Sequence, residues 1–403
     1  MNPSSMSHHA ASAGPTPAGP LDGVRVLDLT SVVLGPVATQ VLADFGADVI
    51  KVESPEGDLM RANGVSKHAG MSSIYLTLNR NKRSMVLDLK LEQDKAVLRQ
   101  LIEKADVLVH NMRLSAIERL GFGYEAVAGI NPRIVYCVAT GFGQDGPHRD
   151  KPAFDDIIQA ACGLVALDAD DGAPPHLFPS LIADKTTGLA LANAVLAALL
   201  YRERRGVGQF VEVPMLETMT SFVMAEHMGG LCFDPAPAAA GYARLLKGGR
   251  RPLRTCDGWI CALPYTDRHW QSFLKVAGRE DLAEKYRVDD RAQRNANIRQ
   301  LYQHLAEIMP LRSTAEWMEI LDALDVPATP LYTLDQLPEH PHLRAVGLFQ
   351  DTEHPTEGRL CEMRPATHFS ATPLSIRRHA PNLGEHTEEI LGELGMARGS
   401  GEQ

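Results

Sequence analysis

The chain has 403 residues, 44% apolar and 22% charged, with a formal net charge of −10. That length predicts more than one domain, at roughly 150 residues each. The acidic balance argues against a nucleic-acid partner, because phosphate contacts need a basic face.

Residues 1–19, rich in Pro, Ser, Ala and Gly, predict a disordered leader without the apolar core of a signal peptide. Val24–Thr30 is a β-branched run and predicts a strand. Gly35–Phe45 has helical spacing, with Val37, Val41, Leu42 and Phe45 on one face. Ala47–Glu53 predicts a second strand, which makes a βαβ unit and a parallel sheet. The alternation continues: strand Ser84–Leu89, helix Gln93–Lys104, strand Ala105–His110, short helix Leu114–Leu120 and strand Ile134–Thr140. A glycine-rich turn follows at 141–147, then a helix over Asp155–Leu167. Asp184–Arg204 is the clearest helix, and Gln209–Val213 the next strand.

Beyond about residue 220 the texture changes. Asp234–Gly241, DPAPAAAG, reads as a linker. Gly258–Leu263 predicts a strand, and Asp267–Val276 and Asn295–Leu324 predict helices, the latter interrupted by Pro310. Val326–Tyr332 reads as an extended return, and the segment 382–395 ends in an amphipathic helix. The longest apolar run, Leu189–Tyr201, falls short of the roughly 20 residues of a membrane span. The six cysteines form no CxxC pair, so neither a zinc site nor a disulfide framework is expected. These features predict a cytoplasmic protein with no membrane partner and no metal.

A βαβ unit whose second strand ends in Glu53 invites a dinucleotide reading. That reading needs GxGxxG after the first strand. The residues there are Ser31-Val32-Val33-Leu34-Gly35-Pro36, with one glycine followed by proline, so the pyrophosphate turn cannot form.

The segment LDGVRVLDLTSVVLGPVATQVLADFGADVIKVESPEGDLMR, residues 21–61, resembles the opening of the class III CoA-transferase family. The resemblance continues in LNRNKRSMVLDLK at 78–90, ADVLVHNMRLSAIERLGFGYE at 105–125 and NPRIVYCVATGFGQDGP at 131–147. It resumes in AFDDIIQA and LIADKTTG and closes in the LGEHT tail at 383–387. The resemblance implies an α/β fold: a Rossmann-like large domain with a parallel sheet, plus a smaller α+β domain, in an interlocked homodimer. With the change of texture near residue 220 setting the small domain at 225–330, the resemblance implies a large CoA-binding domain over 20–224 completed by a return segment over 331–403. The implied activity is transfer of coenzyme A from an acyl-CoA donor, succinyl-CoA in many relatives, to a free carboxylic acid. CoA is then a substrate, and no tightly bound cofactor is expected.

Asp184 stands directly before the predicted helix. Asp is among the best N-cap residues, and Thr186 and Thr187 suit a first turn. The same position favours an ionised carboxylate, which can attack a thioester carbonyl. The resemblance makes Asp184 the catalytic aspartate, forming an aspartyl-CoA thioester. Racemases related to this family carry a proton-bearing histidine thirty residues before the aspartate. Here that position is Phe154, a core aromatic on the plain reading, which cannot carry a proton and argues for transfer.

Coenzyme A brings phosphates, an adenine and a thiol arm. Asn79–Ser84 supplies Arg80, Lys82 and Arg83, which on composition alone is a solvated run; by resemblance Lys82 lies in the block lining the adenine region. Asn111, Met112 and Arg113 follow a strand end, where ligands gather in α/β sheets. Family positions matching these three and Arg119 contact CoA. By the same resemblance Ser31, Val32, Val33 and Leu34 line the thiol end. Relatives that use formate and oxalate have histidine and glutamine where this chain has Ser31 and Val33, which implies a different acid. Gly141 lets backbone approach the ligand. Lys247-Gly248-Gly249 matches a mobile glycine loop, and Arg250 and Arg251 after it are a solvated loop or a seat for a second carboxylate. The alternatives are an α-methylacyl-CoA racemase or epimerase, a non-catalytic acyl-CoA-binding protein, and, opposed by the missing glycines, a nicotinamide oxidoreductase.

Overall fold

The alternating apolar runs pair as parallel strands because each is followed by a helix long enough to carry the chain back. The computed structural model describes residues 19–167, 174–246 and 248–396; the leader through residue 18 and Lys247 lie outside them. The chain divides into two units. The larger holds residues up to Leu164, Leu177–Phe222 and the chain from Arg344; the smaller holds Val165–His176 and Val223–Leu343.

The larger unit runs β1 (Arg25–Leu29), α1 (Leu34–Asp44), β2 (Asp48–Glu53), α2 (Ser73–Leu78), β3 (Lys82–Val86), α3 (Glu92–Glu103) and β4 (Val107–His110). It continues through α4 (Leu114–Leu120), α5 (Tyr124–Ile130), β5 (Val135–Thr140), α6 (Asp155–Ala161), α7 (Ile182–Arg205), β6 (Gln209–Pro214) and the first residues, through Phe222, of α8 (Met215–His227). The six strands form one sheet in the order β3-β2-β1-β4-β5-β6, all parallel. Leu27 sits in register between Ile50 and Leu108. The order reverses between β1 and β4, and such a switch point opens a crevice at the carboxyl ends of the strands.

One core joins Leu27, Ile50, Leu108 and Tyr136 of the sheet to Leu98, Leu101 and Ile102 of α3. Elsewhere in the unit α7 packs along α1, β5 and β6. Gly188 permits the α7–α1 contact, since a Cβ there would stand 2.6 Å from the Leu34 carbonyl oxygen. By length and composition α7, with 24 residues, could cross a bilayer. One of its faces, from Ala183 through Leu191, Val195 and Leu199, is nonetheless buried in this protein.

The smaller unit has α9 (Ala243–Leu246), β7 (Leu253–Arg254), β8 (Trp259–Ala262), α10 (Asp267–Val276), α11 (Glu280–Lys285), α12 (Arg291–Ala296), α13 (Ile298–Ile308), α14 (Thr314–Ala323) and β9 (Ala328–Pro330). Its strands form an antiparallel sheet, β7-β8-β9. Trp270, Phe273, Leu301, Leu305 and Trp317 fill its core. Pro310 lies in a 3₁₀ turn between α13 and α14, where the single predicted helix divides.

The chain then runs through α15 (Pro341–Ala345) into the larger unit, with the antiparallel hairpin β10 (Phe349–His354) and β11 (Gly358–Met363), and ends in α16 (Thr387–Glu393). There α16 docks beside β3: Arg83 pairs with Glu389 at 3.0 Å and Glu393 at 2.6 Å, and the Val86 amide donates to Thr387 Oγ1 at 3.2 Å. Several predicted boundaries move: β3 spans Lys82–Val86 where Ser84–Leu89 is expected, and β9 covers only Ala328–Pro330 of the expected return. α6 stops at Ala161, because Gly163 takes φ 87° and turns the chain. α7 begins at Ile182, two residues before Asp184.

Candidate active site

β1 ends at Leu29, and the backbone must then turn sharply into α1. It does so at Val32, which holds φ 72°. A β-branched residue rarely adopts that conformation, and one so strained persists only when its surroundings over-determine it. Here they do. The Ser31 amide donates to Asn111 Oδ1 at 3.0 Å, and Asn111 Nδ2 donates back to the Ser31 carbonyl at 2.8 Å. The Val32 amide donates to Asp58 Oδ1 at 3.1 Å. Buried Lys51 donates to Asp58 Oδ2 at 2.9 Å and to the Thr30 carbonyl at 2.8 Å. The turn after β1 is thus tied to the turn after β4 across the switch point.

Gly141 follows β5, and a Cβ there would lie 2.4 Å from Ala153 Cβ, so only glycine lets the 152–154 segment pass. The amides of Gly143 and Gln144 are pinned by Glu217 Oε1 at 2.9 Å and Glu212 Oε1 at 3.1 Å. That segment leads into Asp155, whose buried carboxylate accepts the Asp184 amide at 2.9 Å and Gln159 Nε2 at 2.6 Å. Asp155 therefore satisfies a donor in the first turn of α7 and fixes where Asp184 stands.

These turns enclose a cleft of about 360 Å³ in the larger unit. Of the residues singled out by sequence, Ser31, Val32, Leu34, Asn111, Met112, Arg113, Gly141 and Asp184 line it. Arg149, Lys151 and Phe154 line it as well. Asp184 is 8% exposed, and its carboxylate accepts no hydrogen bond from any described residue. Burial, followed by the charges of Asp155 and Asp156, pushes this carboxyl up to about 7. A second hollow of about 450 Å³ shares Ser31, Leu59 and Met112 with the cleft and extends over the ends of β2 and β3 to Leu87, Leu89 and Lys90.

Several sequence expectations are corrected. Asp184 is not an N-cap: Leu181 holds that position, and its own side chain makes no capping hydrogen bond. Its carboxyl is raised, where a helix start alone would favour the ionised form. Lys82 is fully buried, and its ammonium donates to Asp28, the Pro36 carbonyl, Thr39 and Asn79, leaving nothing for a ligand. Burial pulls it down to about 8 against the attraction of Asp28. Its neighbours are spent on the protein as well, Arg80 on Asp44 at 2.5 Å and Arg83 on Asp48 at 2.7 Å, so the basic run is not a solvated surface. Val33 is buried outside the cleft lining, and Arg119 is exposed on α4, also outside it. Phe154 is 66% exposed and is not a core aromatic.

The sequence reading passed over Asp155, Arg149, Asp58 and Lys90. Asp155 and Lys90 lie within the quoted blocks AFDDIIQA and LNRNKRSMVLDLK, so a signal was present for both. Lys51 and Asp58 lie within the quoted 21–61 block, but only the fold shows that they pair. Among the described residues no three of His, Cys, Asp or Glu gather where a metal ion could be held.

The family model described as CoA-transferase family III matches residues 21–387. The chain belongs to that family. It is therefore an enzyme of the class III CoA-transferases, which act on CoA thioesters. A relative from Mycobacterium tuberculosis, named as the probable fatty acyl-CoA transferase Rv3272, is 33% identical over 93% of this chain and 98% of its own length. A succinate–glutarate CoA-transferase from Agrobacterium fabrum is 32% identical, covering 93% and 96%. The crystal structure of Rv3272 superposes with a TM-score of 0.80 at 31% identity, covering 92% and 99% of the two chains. A CAIB/BAIF family protein from Brucella suis gives 0.80 at 30% identity, covering 94% and 100%.

Proposed function

We propose that this class III CoA-transferase moves coenzyme A from an acyl-CoA donor to a free carboxylic acid through an aspartyl-CoA thioester on Asp184. The observation that carries this reading is the Asp184 carboxylate, sunk in the cleft at the carboxyl ends of β1, β4 and β5 with no partner of its own. An Asp184 oxygen attacks the donor's thioester carbon, the C–S bond breaks, and CoA leaves as thiolate. The thiolate attacks the Asp184 carbonyl carbon of the resulting anhydride and expels the donor acid as carboxylate. The acceptor carboxylate then attacks the enzyme thioester and releases CoA thiolate again. A last attack on the acceptor carbonyl forms the new acyl-CoA and returns Asp184.

The cleft suits the thiol arm, and the cations of Arg113, Arg149 and Lys151 in its lining support a reading in which they meet phosphate oxygens. The second hollow, with Leu87 and Leu89 in its wall and Lys90 beside them, suits the flat adenine. Relatives named for succinate, glutarate and mesaconate support succinyl-CoA as donor and a dicarboxylic acid as acceptor. Exposed Leu189, Leu200 and Tyr201 on α7, with Phe222 on α8, leave an apolar face that a second copy of the chain would cover, in keeping with a homodimer.

The test is incubation with succinyl-CoA and a panel of carboxylic acids in heavy water, with products read by mass spectrometry. A new acyl-CoA establishes transfer and names the acceptor. Deuterium entering the α-carbon of a branched acyl-CoA, with no transfer, would overturn the reading in favour of racemisation.

A further inference from the structure

Within the smaller unit a hollow of about 430 Å³ is lined by Arg244, Arg291 and Arg299 together with Tyr242 and Tyr265, and among the described residues by no Asp or Glu. The Arg244 guanidinium lies 4.7 Å from the centre of the Tyr265 ring. A guanidinium stacked by its face keeps its forked edge for a planar oxyanion. Among the described residues no carboxylate lies within ion-pair distance of Arg244 or Arg291. Arg244 Nε is buried without an acceptor among the described residues.

The fold neutralises a neighbouring arginine with care. Arg294, on α12 with Arg291, is buried and donates to Asp267 and to the Val288 carbonyl. A guanidinium with no acid beside it, as at Arg244 and Arg291, and a buried donor without an acceptor, as at Arg244 Nε, are both costly. An anion arriving from solution would remove both penalties. We propose that this hollow binds a small dianion, its oxygens held by Arg244 and Arg291. Two sources share that chemistry, a dicarboxylic acid and inorganic phosphate. The tyrosine faces, able to cover a hydrocarbon segment between two carboxylates, favour the former. The proposal does not depend on Asp184 being the nucleophile.

The experiment is titration calorimetry on the full chain, with CoA present in excess and no acyl-CoA, using glutarate, inorganic phosphate and uncharged glutaramide. Wild-type protein is expected to bind glutarate or phosphate, whichever is the source, and to ignore glutaramide. Arg244→Gln and Arg291→Gln should each weaken binding about tenfold or more, while Arg113→Gln leaves it unchanged. Thermal melts of each variant check the fold. Should Gln at 244 unfold the unit, Arg244→Lys keeps the charge, loses the fork and should still weaken binding. Absence of binding to wild type, or equal binding by all variants, overturns the proposal. So does loss in Arg113→Gln alone, which would put the anion in the Asp184 cleft.

Discussion

Asp184 works under opposing demands. Burial and two neighbouring carboxylates hold its proton up to about 7, so near neutrality the carboxylate, the form the proposed attack needs, coexists with the acid. Activity should therefore lose about tenfold per pH unit below 7, one proton being bound, and a pH profile of kcat/KM checks this. Asp155→Asn removes a charge that raises Asp184, so the acid limb should move to lower pH. Asp184→Ala should abolish transfer while CoA affinity, read by calorimetry, changes little. The same carboxyl weakens the fold. Its proton is held more tightly in the folded chain than at the ordinary value of 3.8, so the cost of ionisation grows as pH rises from about 4 and is complete above about 7. The cost is at most about 4 kcal/mol for three pH units. Asp184→Asn should raise the melting temperature at pH 8 and raise it little at pH 4.

At the scale of elements, two close contacts set the site. Gly188→Ala would normally favour a helix by about 1 kcal/mol, yet here the added Cβ meets the Leu34 carbonyl oxygen at 2.6 Å. The variant should melt lower than wild type. Val32→Gly should relieve strain of about 1–3 kcal/mol and lower kcat by loosening the turn, checked by melting and steady-state kinetics. The sequence showed β1, α1 and β2 plainly because their apolar periods of 2 and 3.6 follow one another without interruption. It did not show α2, whose SIYLTL is short and β-branched, nor the polar hairpin of β10 and β11. Asp184 was legible through its sequence block and through the helix behind it. The fate of Lys82 was not. A cation in a basic run reads as solvated or ligand-bound, and only tertiary packing puts Asp28, Thr39 and Asn79 around it.

At the scale of the whole molecule, the exposed apolar side chains of Leu189, Leu200, Tyr201 and Phe222 bear on the proposed homodimer. Light scattering should report a dimer, and Leu200→Glu should shift the population toward monomer. The docking of α16 beside β3 bears on how the protein is made. The Val86 amide and its acceptor on Thr387 are 301 residues apart in the chain. A ribosome adding roughly 5–20 residues per second needs roughly 15–60 s to travel from one to the other. Throughout that interval the edge strand of the parallel sheet stands on the nascent chain without its C-terminal cover, while residues 223–343 of the smaller unit emerge as one nearly complete stretch. The unit whose first residues are translated earliest is thus the last to close, and it passes through synthesis in the state most open to chaperones.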